Sequence, residues 1–199
     1  MLNKIATKLT KTMLAYKIIA EDMFDIYVYG FELLLSFLFN TTIILIAGIL
    51  FGRILQTLLF LLIFVLLRSF TGGYHANTYG VCTLVTFMVY GGVLLLSELF
   101  VPSLLFYTIL ALVGLALILI FVPIEHPNKR ITEKQKRKYK HISLILFLVF
   151  ITIGALLCHA DIQLNAVVFF TLTADMLLLF AKNRKKGVNK HEVLRNHFG

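Results

Sequence analysis

The sequence predicts an all-α integral membrane protein: six transmembrane helices preceded by an N-terminal interfacial amphipathic helix, with both termini cytoplasmic. Three observations carry that expectation. Hydrophobic residues make up 59% of the 199 and charged residues only 15%, a balance far from that of soluble domains. A hydrocarbon core about 30 Å thick takes roughly 20 apolar residues as helix, so the length accommodates about six spans in a single membrane-embedded domain. The 19 Lys and Arg residues also fall almost entirely on one side of a six-span threading.

The first 22 residues form the amphipathic segment. Leu2, Ile5, Leu9, Met13 and Tyr16 recur at helical spacing, while Lys4, Lys8 and Lys11 take another face. Such a helix lies in the headgroup region of an anionic leaflet. Its lysines are spread along it instead of preceding an apolar run and a cleavage site, so it does not read as a cleavable signal peptide. Spans are expected at residues 27–51, 54–67, 79–101, 103–122, 142–159 and 162–181. The second is short and bracketed by Arg53 and Arg68, whose side chains can snorkel to the headgroups. A re-entrant hairpin is the other reading of that piece. Residues 182–199 make a basic tail.

Lys and Arg collect in cytoplasmic loops, and this orients the set. With both termini inside, only Arg53 lies outside. The loop VPIEHPNKRITEKQKRKYKH and the tail carry most of the rest. The net charge of +9 is therefore a property of one membrane face, which neither requires nor suggests nucleic acid. It serves topology and contact with an anionic bilayer, and it can attract an acidic peptide. Lys134, Lys136, Arg137 and Lys138 are the candidates for that attraction.

The stretch RSFTGGYHANTYGVCTL, residues 68–84, interrupts the apolar pattern at this basic face. A thiolate is the nucleophilic form of cysteine, and a nearby histidine is the usual base. On one continuous helix His75 and Cys82 would stand about 10.5 Å apart along the axis, too far for contact. Gly72 and Gly73 can end a helix before the histidine, letting a loop fold His75 back over the start of the third span. The plain alternative is a small apolar Cys in a helix and an interfacial His.

The whole stretch resembles the accessory gene regulator B (AgrB) family of membrane peptidases. Arg68, Gly73, His75 and Cys82 match its Arg…Gly-Gly-x-His…Cys pattern, and VPIEHPNKRITEKQKRKYK is similar to its Pro-acid-x-Pro-Asn-Lys loop with the basic run that follows. The resemblance covers the chain and implies a cysteine peptidase and cyclase. Its substrate is an AgrD-like propeptide with an amphipathic leader, a signal segment and an acidic C-terminal tail. It implies catalytic roles for Cys82 and His75 and no cofactor.

Other residues support two readings each. Arg68 either holds the loop to a carboxylate, binds substrate acid groups or anchors the second span. Asn77 either orients His75 or is a polar loop residue. Glu32 and Asp175 lie within spans, where carboxylates are costly and face a partner or cavity; each can pair with Arg68 or loop lysines, or hold His75. Asn40, Thr41 and Thr42 suggest interhelical hydrogen bonds. Cys158, His159 and Asp161 cluster at the far end without enough neighbours for a metal, and Cys82 is too distant from Cys158 for a disulfide.

A second class of function, a non-enzymatic peptide transporter or exporter, would need polar residues on facing helices through the full depth. The second and fourth spans are nearly featureless in that respect. A metal-dependent protease would need an HExxH or similar cluster, which the sequence lacks. A homodimer is compatible with so little surface outside the bilayer, though no GxxxG-type contact marks one.

Overall fold

The computed structural model describes residues 2–71, 79–123 and 132–197, with side chains described as far as residue 180. Seven α-helices follow one another: α1 (Leu2–Ala15), α2 (Phe24–Leu50), α3 (Ile54–Thr71), α4 (Tyr79–Leu99), α5 (Leu104–Phe121), α6 (Glu133–Ala160) and α7 (Ile162–His197). Six of them, α2 to α7, are long and apolar enough to cross a membrane. The chain is thus an all-helical, multi-pass membrane protein.

The amphipathic pattern of α1 has a structural counterpart. Ala6 and Thr10, one turn apart, are fully buried where α1 packs on α2. Ile5 and Leu9 beside them stay 43% and 42% exposed, an apolar strip suited to lipid. Asn3 Nδ2 donates to Glu32 on α2, so one of the intramembrane carboxylates is engaged by the interfacial helix.

The α2–α3 connection shows why a helix this greasy stops where it does. Gly52 takes φ +65°, the left-handed conformation open to glycine at little cost. Its N–H bonds Ile49 O at 3.1 Å and Arg53 N–H bonds Gly48 O at 2.8 Å. These are the paired bonds of a Schellman end, which satisfy carbonyls that the helix leaves open.

Three boundaries differ from the sequence expectation. α3 runs on through Arg68 to Thr71 as one 18-residue helix, about 27 Å long, so the short second span is a helix that crosses and not a re-entrant hairpin. α6 starts at Glu133, nine residues before the apolar run expected at residue 142. Thr132 caps it: its hydroxyl accepts from Gln135 N at 3.4 Å while its own N–H donates to Gln135 Oε1 at 2.9 Å, the reciprocal bonding of a capping box. The Lys, Arg, Gln and Glu that follow are good helix formers, so much of the expected basic loop is helix. α7 likewise continues through the basic tail.

The centre of the bundle is α7, which packs against α3, α4, α5 and α6. Half of its membrane window is buried, against a third or less for the other spans. Two apolar clusters meet on it. One joins Ile63 and Leu67 of α3 to Tyr107, Phe147, Leu172 and Met176. The other joins Ile44, Phe60, Phe64, Tyr90 and Val167. Close approach is made at glycines, as is usual between membrane helices: Gly114 lies against the Phe147 ring and Gly154 against the Tyr107 ring. Tyr107 is fixed in turn by its hydroxyl, which donates to Asn165 O at 2.7 Å.

Contacts at the two ends confirm that the helices alternate. Arg53 pairs with Glu98 at the end of α4 and donates to Gln163 Oε1 of α7 at 3.0 Å, gathering one end of the bundle. At the other end the Phe70 ring of α3 meets Tyr139 of α6 edge-on at 6.0 Å. Lys140 Nζ donates to Leu119 O near the end of α5 at 2.5 Å. The basic part of α6 therefore stands beside the end of α3.

Candidate active site

Cys82 sits in the first turn of α4. It is partly buried and carries a free thiol, and its carbonyl accepts from Thr86 Oγ1 at 2.9 Å. Arg68 lies one turn from the end of α3. Its guanidinium stands over the Phe64 ring, 5.2 Å from the centroid, and Phe64 stacks on Phe60 at 5.1 Å. Side chains on a helix lean toward its N-terminus. For Arg68 that direction is back along α3, toward Phe64. Arg53, the other bracket of α3, is occupied by Glu98 and Gln163.

Asp175 is 7% exposed, and its Oδ2 has no hydrogen-bond partner among the described residues. Of the two candidate carboxylates, Asp175 lies buried on α7, whereas the described contact of Glu32 is with Asn3. Gly72, Gly73, His75 and Asn77 lie outside the described residues. Asn40 keeps a buried Oδ1 without a hydrogen-bond partner, so the interhelical bond expected of it is absent there.

The four basic candidates divide. Lys136 pairs with Glu133 at 2.6 Å. Lys134, Arg137 and Lys138 are exposed, and their spacing places them on one face of α6. They form a short positive stripe on the helix that flanks the motif end of the bundle. Among the described residues there is no group of three or more His, Cys, Asp and Glu side chains arranged to hold a metal. Cys158 is at the far end, its Sγ 3.9 Å from Pro102 O.

A family description, accessory gene regulator B, matches residues 2–180. The chain belongs to the AgrB family. AgrB-like protein 2 of Clostridium perfringens (strain 13 / Type A) is 31% identical over 157 residues, covering 72% of this chain and 73% of its own. An AgrB-like protein of Clostridium perfringens (strain SM101 / Type A) is 30% identical over 142 residues, with 66% and 65% covered. One from Halalkalibacterium halodurans is 26% identical over 176 residues, covering 84% of each chain. No solved structure matches. AgrB proteins take part in processing autoinducer propeptides. Of the motif residues that carried the resemblance, Arg68 near the end of α3 and Cys82 near the start of α4 are the described ones.

The Asn3–Glu32 link had no sequence signal, because residues 29 positions apart meet only through the packing of α1 on α2.

Proposed function

We propose that this AgrB-family protein is a membrane cysteine endopeptidase and cyclase. It removes the acidic tail of an AgrD-like propeptide at the cytoplasmic face of the cell membrane and yields a cyclic thiolactone or lactone signal peptide. The observation that carries the reading is Cys82 itself, a free, partly buried thiol in the first turn of α4. The Cys82 thiolate attacks the carbonyl between signal segment and tail, and His75 first accepts the thiol proton and then delivers it to the departing amine. The signal segment remains as a thioester. An internal Cys or Ser of the propeptide then displaces Cys82 and closes the ring. A thiol attacker exchanges one thioester for another, so that step is close to balanced in free energy, and exclusion of water protects the intermediate.

The transporter reading has less support. Polar groups toward the end opposite the motif are bonded to one another or to backbone: Thr57 with Tyr90 at 2.7 Å, Arg53 with Glu98, and Asn165 Nδ2 with Pro102 O at 3.2 Å.

The test is capture of the intermediate. With wild-type protein and a propeptide whose internal nucleophile is replaced by Ala, ring closure is blocked. An adduct heavier by leader plus signal segment accumulates on Cys82, is seen by mass spectrometry and is released by hydroxylamine. Cleavage that proceeds with no adduct at Cys82 overturns the mechanism.

The stripe on α6 gives a second expectation. Reversal of Lys134, Arg137 and Lys138 to Glu weakens processing of an acidic-tailed propeptide more than of a neutral-tailed one, and the difference grows at low salt, where screening is weaker. Adding Lys136→Glu contributes less, since Lys136 already faces Glu133. Equal losses for both tails would assign the stripe to membrane placement alone.

A further inference from the structure

We infer that Asn40 is a substrate-binding residue: its side-chain amide holds the propeptide backbone beside Cys82, Oδ1 accepting a peptide N–H near the scissile bond. The inference rests on the peptidase reading and adds to it a binding contact from α2.

Three helices are locked together at one level. Gly48 of α2 lies against Thr57 of α3 with no space for a Cβ, and Thr57 Oγ1 meets the Tyr90 hydroxyl of α4 at 2.7 Å. Eight residues from that level, away from the Arg53 end, lie Asn40 on α2 and Cys82 on α4. Eight residues of helix rise about 12 Å. Because α2 and α4 run in the same direction, Asn40 and Cys82 share one depth to within about a turn.

Both residues also belong to the packed faces of their helices. Asn40 is one turn from Ile44, which is 2% exposed and packs with Phe60, Phe64 and Tyr90. Cys82 shares a face of α4 with Thr86 and the buried Tyr90, each four residues on from the last. α2 and α4 touch directly, and packed helices have axes about 8–10 Å apart. An extended chain advances about 3.3 Å per residue, so a peptide attached at Cys82 reaches Asn40 within about three residues of the scissile bond.

Asn40 Oδ1 is buried and lacks a hydrogen-bond partner. An amide oxygen left so is costly in a protein interior and more so within hydrocarbon. Lipid chains carry no donor. A second copy packed on the outside of α2 would meet the exposed Thr42 and not this enclosed oxygen. A donor must enter between α2 and its neighbours, which is where a chain bound for Cys82 has to go. The helix lengths make such a path. α4 begins at Tyr79, close to Cys82, whereas α2 extends from Asn40 back to Phe24, about 24 Å further. The thiol is thus recessed beside the middle of α2, and a chain descending along α2 passes the buried Ser36 and then Asn40.

The test measures tail release in detergent or vesicles, separating KM from kcat, for wild-type protein and Asn40→Leu. Leu resembles Asn in shape and has no polar atom. KM for the propeptide should rise about threefold to tenfold, the worth of one hydrogen bond, with kcat changed less than about twofold, as for uniform binding. The thermal midpoint should hold or rise, since an unpaired amide is removed. Thr42→Leu should leave KM unchanged. In a second arm, an ester replaces in turn each non-scissile amide within about three residues of the cleavage point, removing one N–H and keeping the chain's shape. One position should raise KM by the same factor in wild type and by nothing in Asn40→Leu. An unchanged KM in Asn40→Leu, an equal rise in Thr42→Leu, or no ester whose penalty vanishes in Asn40→Leu overturns the inference. Should Asn40→Leu not insert, Asn40→Ala removes the amide without adding volume and is read in the same way. If the wild-type protein does not cleave the propeptide, the peptidase reading fails instead.

Discussion

Cys82→Ala should give an inserted protein that cleaves no propeptide, a loss of at least about 10⁴-fold in kcat on the scale of removing a catalytic nucleophile. No other described cysteine can substitute, since Cys158 lies at the opposite end of the bundle, next to Pro102. Cys82→Ser should be nearly as inactive, because a hydroxyl ionises far less readily than a thiol and needs a differently poised base. Cys158→Ala should retain wild-type cleavage and so controls for cysteine replacement in general. His75→Ala should lose most activity and regain a little at raised pH, where thiolate forms without help. The measurement is tail release followed by mass spectrometry of the products. Normal cleavage by Cys82→Ala would end the peptidase reading and move the exporter reading forward.

The second large effect concerns packing. A Cβ built on Gly114 falls 2.1 Å from Phe147 Cζ, and one on Gly154 falls 2.5 Å from the Tyr107 ring. Neither ring has room to retreat. Phe147 is fully buried and Tyr107 is 1% exposed, with the Tyr107 hydroxyl tied to Asn165 O. Gly114→Ala and Gly154→Ala should each destabilise by about 1–3 kcal/mol, the usual cost of overpacking a dense core. Together they strike the α5–α6 contact on which α7 rests. Gly91→Ala and Gly92→Ala meet nothing within 4 Å and should leave stability unchanged or slightly raised, since Ala is the better helix former. Thermal unfolding in detergent distinguishes the pairs; equal midpoints for all four would refute this account of the helix contacts.

These two effects also mark how far the sequence could be read. Cys82 and His75 stand out because a thiol and an imidazole are rare in so apolar a chain and appear together beside Gly72 and Gly73. The six spans stand out for the same reason of contrast, since each is an uninterrupted apolar run between polar punctuation. Helix ends were less legible. Glu133 to His141 is polar enough to pass for loop, and only the Thr132–Gln135 capping bonds make it the first part of α6. The hidden direction of Arg68 is similar, since a helix C-terminus gives its position and the lean of the side chain gives its target.

The sequence by itself determined class and span order, because hydrocarbon admits only backbone that satisfies its own hydrogen bonds, and long apolar runs meet that condition locally. It also determined which residue types could do chemistry. Which of them meet was decided by the tertiary structure. Glu32 and Asp175 are equivalent by composition and depth. Packing gives Glu32 to Asn3 of α1 and buries Asp175 on the central helix. Its burial depends on α7 lying against α3, α4, α5 and α6, and the apolar faces that bring those helices together carry no mark in sequence of which neighbour each will choose.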